Sequence, residues 1–300
     1  MRLFFAILFL LVPAGVSGQE TIDLYAGKIP NSKPHALKET ATFEGIVDTI
    51  LRFVSHPTLT VFRAAQNTSG ASVIVVPGGG YHAELITREG KRVAEAFNRK
   101  GITAFVLKYR LPNDQTMTDK TIGPLQDLQQ AIKLIRENAA RWHIAPDKIG
   151  VMGFSAGGHL AAGSGVHFDD THIENKNGTS LRPDFLVLIN PVISFTDSFG
   201  HIGSRDNLLG KDPGEQKIRY FSNEQHITAK TPPSILIHAS DDTVVPVENS
   251  ISFYQGLSGH KIPVALHIYA KGEHGLLQEP AFEEWFGRCI FWMQQIGVLN

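Results

Sequence analysis

Short apolar runs recur along the chain, and most are followed by a longer stretch in which apolar positions return every third or fourth residue. The runs are Val73–Val76, Ala104–Leu107, Ile149–Phe154, Phe185–Ile189, Ile235–Ile237 and Val264–Ile268. Strands apolar at consecutive positions bury both faces, which requires helices above and below a sheet. The alternation predicts an α/β fold with a mostly parallel central sheet. The most regular helix begins at Gly123-Pro124, where a proline near the first position loses no hydrogen bond. Its Leu125, Leu128, Ile132, Ile135, Ala139 and Trp142 form one sheet-facing stripe. Further helices are expected from Thr87 to Lys100, stopped by Gly101, then directly after Ser155, over Val247–Leu257 and over Pro280–Gln295.

Two regions break the pattern. Thr21–Leu59 is polar and proline-containing and yields no periodicity, with an edge strand expected at Leu59–Arg63. Residues 194–230 hold Gly200, Gly203, Gly210, Pro213 and Gly214 and read as a loop-and-short-helix excursion over the strand ends. Excursions of that length in compact domains tend to line sites.

The opening MRLFFAILFLLVPAGVSGQE pairs Arg2 with the apolar run Leu3–Val12, Pro13 and a small-residue end at Val16-Ser17-Gly18. It reads as a secretory signal cleaved after Gly18, and the apolar run is shorter than the roughly 20 residues of a membrane anchor. The expected layout is a signal peptide over 1–18 and one domain over 19–300, secreted or periplasmic, with no membrane anchor after cleavage. A hydrophobic share of 42% in 300 residues is ample for a core. Lys+Arg of 28 against Asp+Glu of 29 leaves a net charge of -1, which offers no bulk attraction for nucleic acid or anionic lipid. Cys289, the single cysteine, cannot form an internal disulfide and sits among Phe286, Ile290 and Trp292 as a small core residue.

Candidate chemistry centres on Gly153-Phe154-Ser155-Ala156-Gly157, a G-x-S-x-G placed after a predicted strand and before a predicted helix. There the sharp turn exposes the serine, and small neighbours make room for strand and helix. A serine hydroxyl needs a base within hydrogen-bond reach and an acid to orient that base. On this kind of elbow the acid and then the histidine follow in the chain. His274, between Gly272-Glu273 and Gly275 and just beyond the last strand, is the candidate base. His267 lies within that strand and His260 before it. The acid is Asp241 or Asp242, at the carboxyl end of Ile235–Ile237. An oxyanion needs fixed donors, and Gly78-Gly79-Gly80 follows Val73–Val76 where backbone N–H groups can crowd together. Gly79, Gly80 and Ala156 are the candidate donors. Tyr81 and His82 beside them are possible pocket residues. His159 reads as a packed helix residue, no metal-ligand pattern such as H-E-x-x-H is present, and no cofactor is expected.

The segments VVPGGGYH, YRLP, DLQQAIKLIREN, GFSAGGHLA, DDTVVPVENS and GEHGL together resemble secreted α/β-hydrolases of the acetylxylan esterase and carbohydrate acetyl esterase type. The resemblance implies an α/β-hydrolase fold and a triad of Ser155, Asp242 and His274. It selects Asp242 because that residue begins the family's D-x-x-V-P pattern and leaves Asp241 as a turn or capping carboxylate. It also implies an acetylated oligo- or polysaccharide of the hemicellulose type as substrate. The family's HxGSRxNLLG element matches His201–Gly210, which puts the excursion over the pocket. Lipase relatives carry H-G-G-G where this chain has Pro77, so their substrates do not transfer. Two rival readings differ in class. A prolyl-oligopeptidase-like peptidase shares the elbow but carries an added gating domain. A non-catalytic α/β-hydrolase used for binding would lack a triad member.

Overall fold

A computed structural model describes residues 19–44, 48–276 and 278–299. The signal segment expected over residues 1–18 lies outside the described residues. The strands are β1 (Glu20–Asp23), β2 (Thr40–Glu44), β3 (Asp48–Arg52), β4 (Thr58–Phe62), β5 (Ser72–Val76), β6 (Glu84–Leu85), β7 (Thr103–Lys108), β8 (Ile149–Phe154), β9 (Phe185–Ile189), β10 (Ser234–Ala239) and β11 (Val264–Tyr269). The principal helices are α1 (Arg92–Arg99), α2 (Gly123–Glu137), α3 (Ser155–Val166), α4 (Ile202–Leu209), α5 (Glu215–Tyr220), α6 (Glu248–Gly259) and α7 (Phe282–Gln295).

The main sheet runs β1-β4-β7-β5-β8-β9-β10-β11. Strands β7 through β11 in that order are parallel, while β1 and β4 add antiparallel pairings at one side. From β5 the chain crosses outward through α1 to β7, then returns through α2 to β8 on the other side of β5. That reversal makes the carboxyl ends of β5 and β8 a topological switch point, where open α/β sheets place their sites. The register sets Val76 beside Gly153, so the glycine loop and the serine elbow leave the sheet side by side.

Alternation along the buried strands divides the core. Ile74 and Val76 of β5 join α2, α3 and α6 side chains such as Leu128, Ile132, Leu160 and Phe253 on one face. Val73 and Val75 join Val93 and Phe97 of α1 with Phe286, Cys289 and Trp292 of α7 on the other. Cys289 is thus a core thiol, and burial pushes its pKa up. Among the described residues no helix is long and apolar enough to cross a membrane.

Several boundaries differ from the sequence expectation for local reasons. The strand near Leu59 is not the edge, because β1 pairs with it from a segment whose polar, half-exposed residues carried no strand signal. The same unreadable stretch holds β2 and β3, which with β6 form a separate three-stranded sheet. The helix expected from Thr87 starts as a π-turn over Ile86–Lys91 before α1, and that wider turn buries Glu89. Helix α2 ends at Glu137, yet Ala139 and Trp142 stay in the core through a 3-10 turn. The 194–230 excursion contains α4, α5 and a 3-10 turn at Asn223–Gln225.

Glu84 on β6 is fully buried; its Oε1 accepts the Tyr109 amide at 2.7 Å, and its Oε2 has no partner among the described residues. Burial raises its pKa well above the ordinary carboxylate range, against the opposing pull of the Tyr109 amide. An acid whose folded pKa exceeds its unfolded value near ~4.3 subtracts stability as pH climbs from that value through the folded one. Glu84→Gln removes the titration. Its melting temperature relative to the natural chain is expected to rise as the pH climbs above about 4, as read by calorimetry across the pH range.

Candidate active site

Ser155 directly follows β8 and begins α3, and its φ of 50° is left-handed. A side chain there costs about 1 kcal/mol or more against the right-handed basin, so the turn holds only because its surroundings force it. A Cβ added at Gly157 would stand 2.3 Å from the Val76 carbonyl oxygen, so α3 packs directly on the end of β5. The pattern of small residues around Ser155 is the sequence's record of that contact.

The base arrives from the far side of the sheet. Beyond β11, Glu273 (φ 50°) and Gly275 (φ 98°) flank His274 with two left-handed residues and turn its ring back over the strand ends. His274 Nε2 lies 2.9 Å from Ser155 Oγ and its Nδ1 lies 2.8 Å from Asp242 Oδ2. Nδ1 faces a carboxylate and carries the proton, so Nε2 accepts from the serine hydroxyl. Asp241, expected as a turn carboxylate, accepts the Glu273 amide at 2.8 Å and braces the histidine loop.

Asp242 is held from four directions. Its Oδ1 accepts the amides of Val244 at 2.9 Å and Val245 at 2.8 Å, and its Oδ2 faces His274 and, at 3.2 Å, His238 Nε2. Burial works to raise its pKa, but the hydrogen bonds from His238, His274 and the Val245 amide outweigh it and hold the carboxyl below the ordinary range. His238 is fully buried. Its Nε2 also faces the Val245 carbonyl at 3.0 Å, and its Nδ1 meets Ser250 Oγ at 2.8 Å. With acceptors on Nε2, that nitrogen carries the proton and the Ser250 hydroxyl donates to Nδ1.

The glycine loop presents its amides beside the serine. The Gly78 amide donates to Glu89 Oε2 at 2.8 Å, so it is occupied, and a Cβ at Gly78 would lie 3.0 Å from Ser155 Cβ. The Gly79 and Gly80 amides have no acceptor among the described residues, and Ala156, second residue of α3, has the free amide of a helix start. Gly79 has φ 132°, and a Cβ there would fall 2.2 Å from the Ala83 carbonyl oxygen. The loop is pinned by three side chains: Glu89 at Gly78, Asn207 of α4 donating to the Gly80 carbonyl at 2.7 Å, and Tyr81. Tyr81, itself left-handed at φ 62°, is buried with its hydroxyl 2.8 Å from His159 Nδ1. His159 Nε2 donates to the Phe221 carbonyl at 2.7 Å, and burial lowers its pKa to about 4, so the ring is a neutral packed residue. His82 is exposed at the cavity mouth, and with Tyr81 it lines a space beside the loop.

The structure brings Ser155, Asp242 and His274, which the sequence singles out, into one hydrogen-bonded chain with the glycine loop beside it, and adds Glu89, Asn207, His201 and His238, which the sequence does not single out individually. His201 caps α4 through Ser204, and its pKa is lowered by burial and by the neighbouring His274. Nothing in the sequence around Glu89 distinguishes it from the other charges of the helix expected from Thr87 to Lys100. His238 directly follows the apolar run Ile235–Ile237, and its placement four positions before Asp242 is the one sequence signal of contact. Among the described residues no cluster of three or more His, Cys, Asp or Glu could hold a metal ion.

The arrangement is competent for acyl transfer: a serine hydroxyl within hydrogen-bond reach of a base, a carboxylate orienting that base, and amides without a protein acceptor in the neighbouring loop and helix start. The BD-FAE family model matches residues 60–257, a span that includes the glycine loop, Ser155 and Asp242 and stops before His274. The chain is 36% identical to endo-1,4-beta-xylanase B of Butyrivibrio fibrisolvens and 36% identical to an acetylxylan esterase of Xylanibacter ruminicola, in each case over 77% of its own length. It spans only 36% and 45% of those two curated relatives. A solved acetyl ester-xyloside bifunctional hydrolase from Caldicellulosiruptor lactoaceticus superposes with a TM-score of 0.74 at 35% identity, covering 94% of this chain and 97% of that one. By the span of the family match and the agreement in fold, the chain belongs to the BD-FAE family of α/β-hydrolase esterases.

Proposed function

We propose that the chain is a serine esterase that removes acetyl or other short acyl groups from hemicellulose-type carbohydrates such as acetylxylan. The observation that carries the reading is the continuous relay from Asp242 through His274 to Ser155 beside the unoccupied amides of Gly79 and Gly80. The names of the xylan-linked relatives support the substrate class. In this reading Ser155 Oγ attacks the ester carbonyl carbon while His274 Nε2 takes its proton. The negative oxygen of the tetrahedral intermediate sits on the amides of Gly79, Gly80 and Ala156. His274 then returns the proton to the sugar oxygen as the ester C–O bond breaks, leaving acetyl-Ser155. Water, deprotonated by His274, attacks that acyl group, and acetate leaves as the serine recovers its proton. Asp242 stays ionised throughout and stabilises the imidazolium.

His238 acts in this scheme as a positioning residue, since its Nε2–H and the two valine amides fix the orientation of the Asp242 carboxylate. Export to the periplasm or medium belongs to the same proposal and rests on residues 1–18 alone.

Ser155→Ala is expected to lower turnover of p-nitrophenyl acetate by about a millionfold with the fold intact by circular dichroism, and retained turnover refutes the nucleophile assignment. Acetate release from acetylated xylan should exceed release of ferulate or longer acyl chains from matched esters, and the reverse order refutes the acyl preference. His238→Leu should reduce kcat by about 100-fold at nearly constant KM, whereas His238→Gln, which keeps a donor at the position of Nε2, should recover most of the loss. Terminal sequencing of the exported protein should begin at Gln19.

A further inference from the structure

A cavity of about 110 Å3 lies beside the glycine loop, between that loop, the β3 exit, the loop after β7 and α4. Phe53, His82, Asn113 and Asn207 supply its distinctive lining. Asn207 ties it to the candidate oxyanion donors, because the same side chain donates to the Gly80 carbonyl at 2.7 Å. His201 ties it to the relay, since both His274 and His82 stand close enough to disfavour the charged form of the His201 ring.

Phe53 is the unusual member. It has a left-handed φ of 57°, a conformation costly for a bulky L-residue, and it leaves 45% of its surface exposed. Glycine would relieve both the strained backbone and the exposed ring, and Asn or Asp would ease them, so packing does not account for this residue. The backbone around it is firmly held. Leu111 donates to the Val54 carbonyl at 2.9 Å, and the adjoining Arg110 is buried in a bidentate pair with Asp127, its Nη2 at 2.7 Å from Oδ1. The ring therefore projects from a fixed point of the backbone. Around it, His82 is kept toward the neutral form by partial burial and by nearby Arg52. Asn113, Asn207 and a neutral imidazole offer both donors and acceptors with no net charge. An aromatic face flanked by neutral polar groups and open to solvent matches a hydroxylated ring with an apolar C–H face, and suits a methyl group or alkyl chain poorly.

We infer that this cavity is a sugar subsite, in which a pyranose ring of the alcohol half of the ester stacks on Phe53 and hydrogen-bonds His82, Asn113 and Asn207. The inference rests on the carbohydrate esterase reading above and names the part of the site that recognises the sugar. It gives the β2-β3 segment, which contributes little to the main sheet, a role at the mouth of the site.

The test compares kcat/KM on acetylated xylotriose with kcat/KM on p-nitrophenyl acetate, which has no sugar. Phe53→Ala is expected to lower the ratio of the two by about tenfold, mostly through KM on the oligosaccharide, and Phe53→Trp should restore it. Phe43→Ala removes an exposed ring on β2 that does not line the cavity and should leave the ratio as it is. An unchanged ratio in Phe53→Ala, with the natural chain active on acetylated xylotriose, overturns the subsite alone. A selective loss on p-nitrophenyl butyrate over acetate, with the sugar ratio unchanged, also overturns it by marking an acyl pocket. A natural chain active on p-nitrophenyl acetate but not on acetylated xylotriose overturns the hemicellulose reading, and the subsite with it.

Discussion

The left-handed turn at Ser155 is the constraint on which the rest of the site depends. It exists because β8 stops against the end of β5 at the switch point, and α3 must leave immediately with no room for side chains at Gly157. The strain in that turn is sustained by burial of α3 against β5, β8 and β9, so the core on one face of the sheet holds Ser155 upright. Because β5 ends in the same place, the glycine loop is delivered beside the serine without a separate device.

Around that fixed point, neighbouring elements contribute one hydrogen bond each to hold what the sheet alone does not. Glu89 occupies the Gly78 amide, Asn207 the Gly80 carbonyl and His159 the Tyr81 hydroxyl, leaving Gly79 and Gly80 as the free donors. On the acid side, the buried Asn249 at the start of α6 accepts the Ile193 and Ser194 amides and donates to the Phe199 and Pro246 carbonyls. That one amide joins the Asp242 loop to the start of the excursion carrying α4. Hydrogen bonds of this sort contribute about 1 kcal/mol each to stability, and their larger effect is geometric.

The balance of charge follows the same logic. Asp242 stays ionised because four donors face it, although burial favours the neutral acid. Glu84, with one amide and an orphan oxygen, goes the other way. Two buried carboxyls in one chain thus differ in charge state according to how many donors the fold supplies, and of the two only the better supplied one stands next to the His274–Ser155 pair.

The sequence by itself determined the α/β class, the strand and helix order from Val73 onward, and the motif positions of Ser155, Asp242 and His274. Those features are legible because they are local: apolar period sets element type, and glycines beside a polar residue mark tight turns. Tertiary structure alone decided that Asp241 braces the histidine loop, that His238 reaches Asp242, and that Glu89 and Asn207 pin the glycine loop. These contacts join residues in different elements whose own neighbourhoods look like ordinary surface or strand. The stretch before β5 was opaque for a related reason, since β1, β2 and β3 are short, partly exposed strands that exist by pairing with distant partners rather than by any pattern of their own. Phe53 shows the limit most clearly: in the sequence it is one more aromatic, and only the fold turns it outward beside the site.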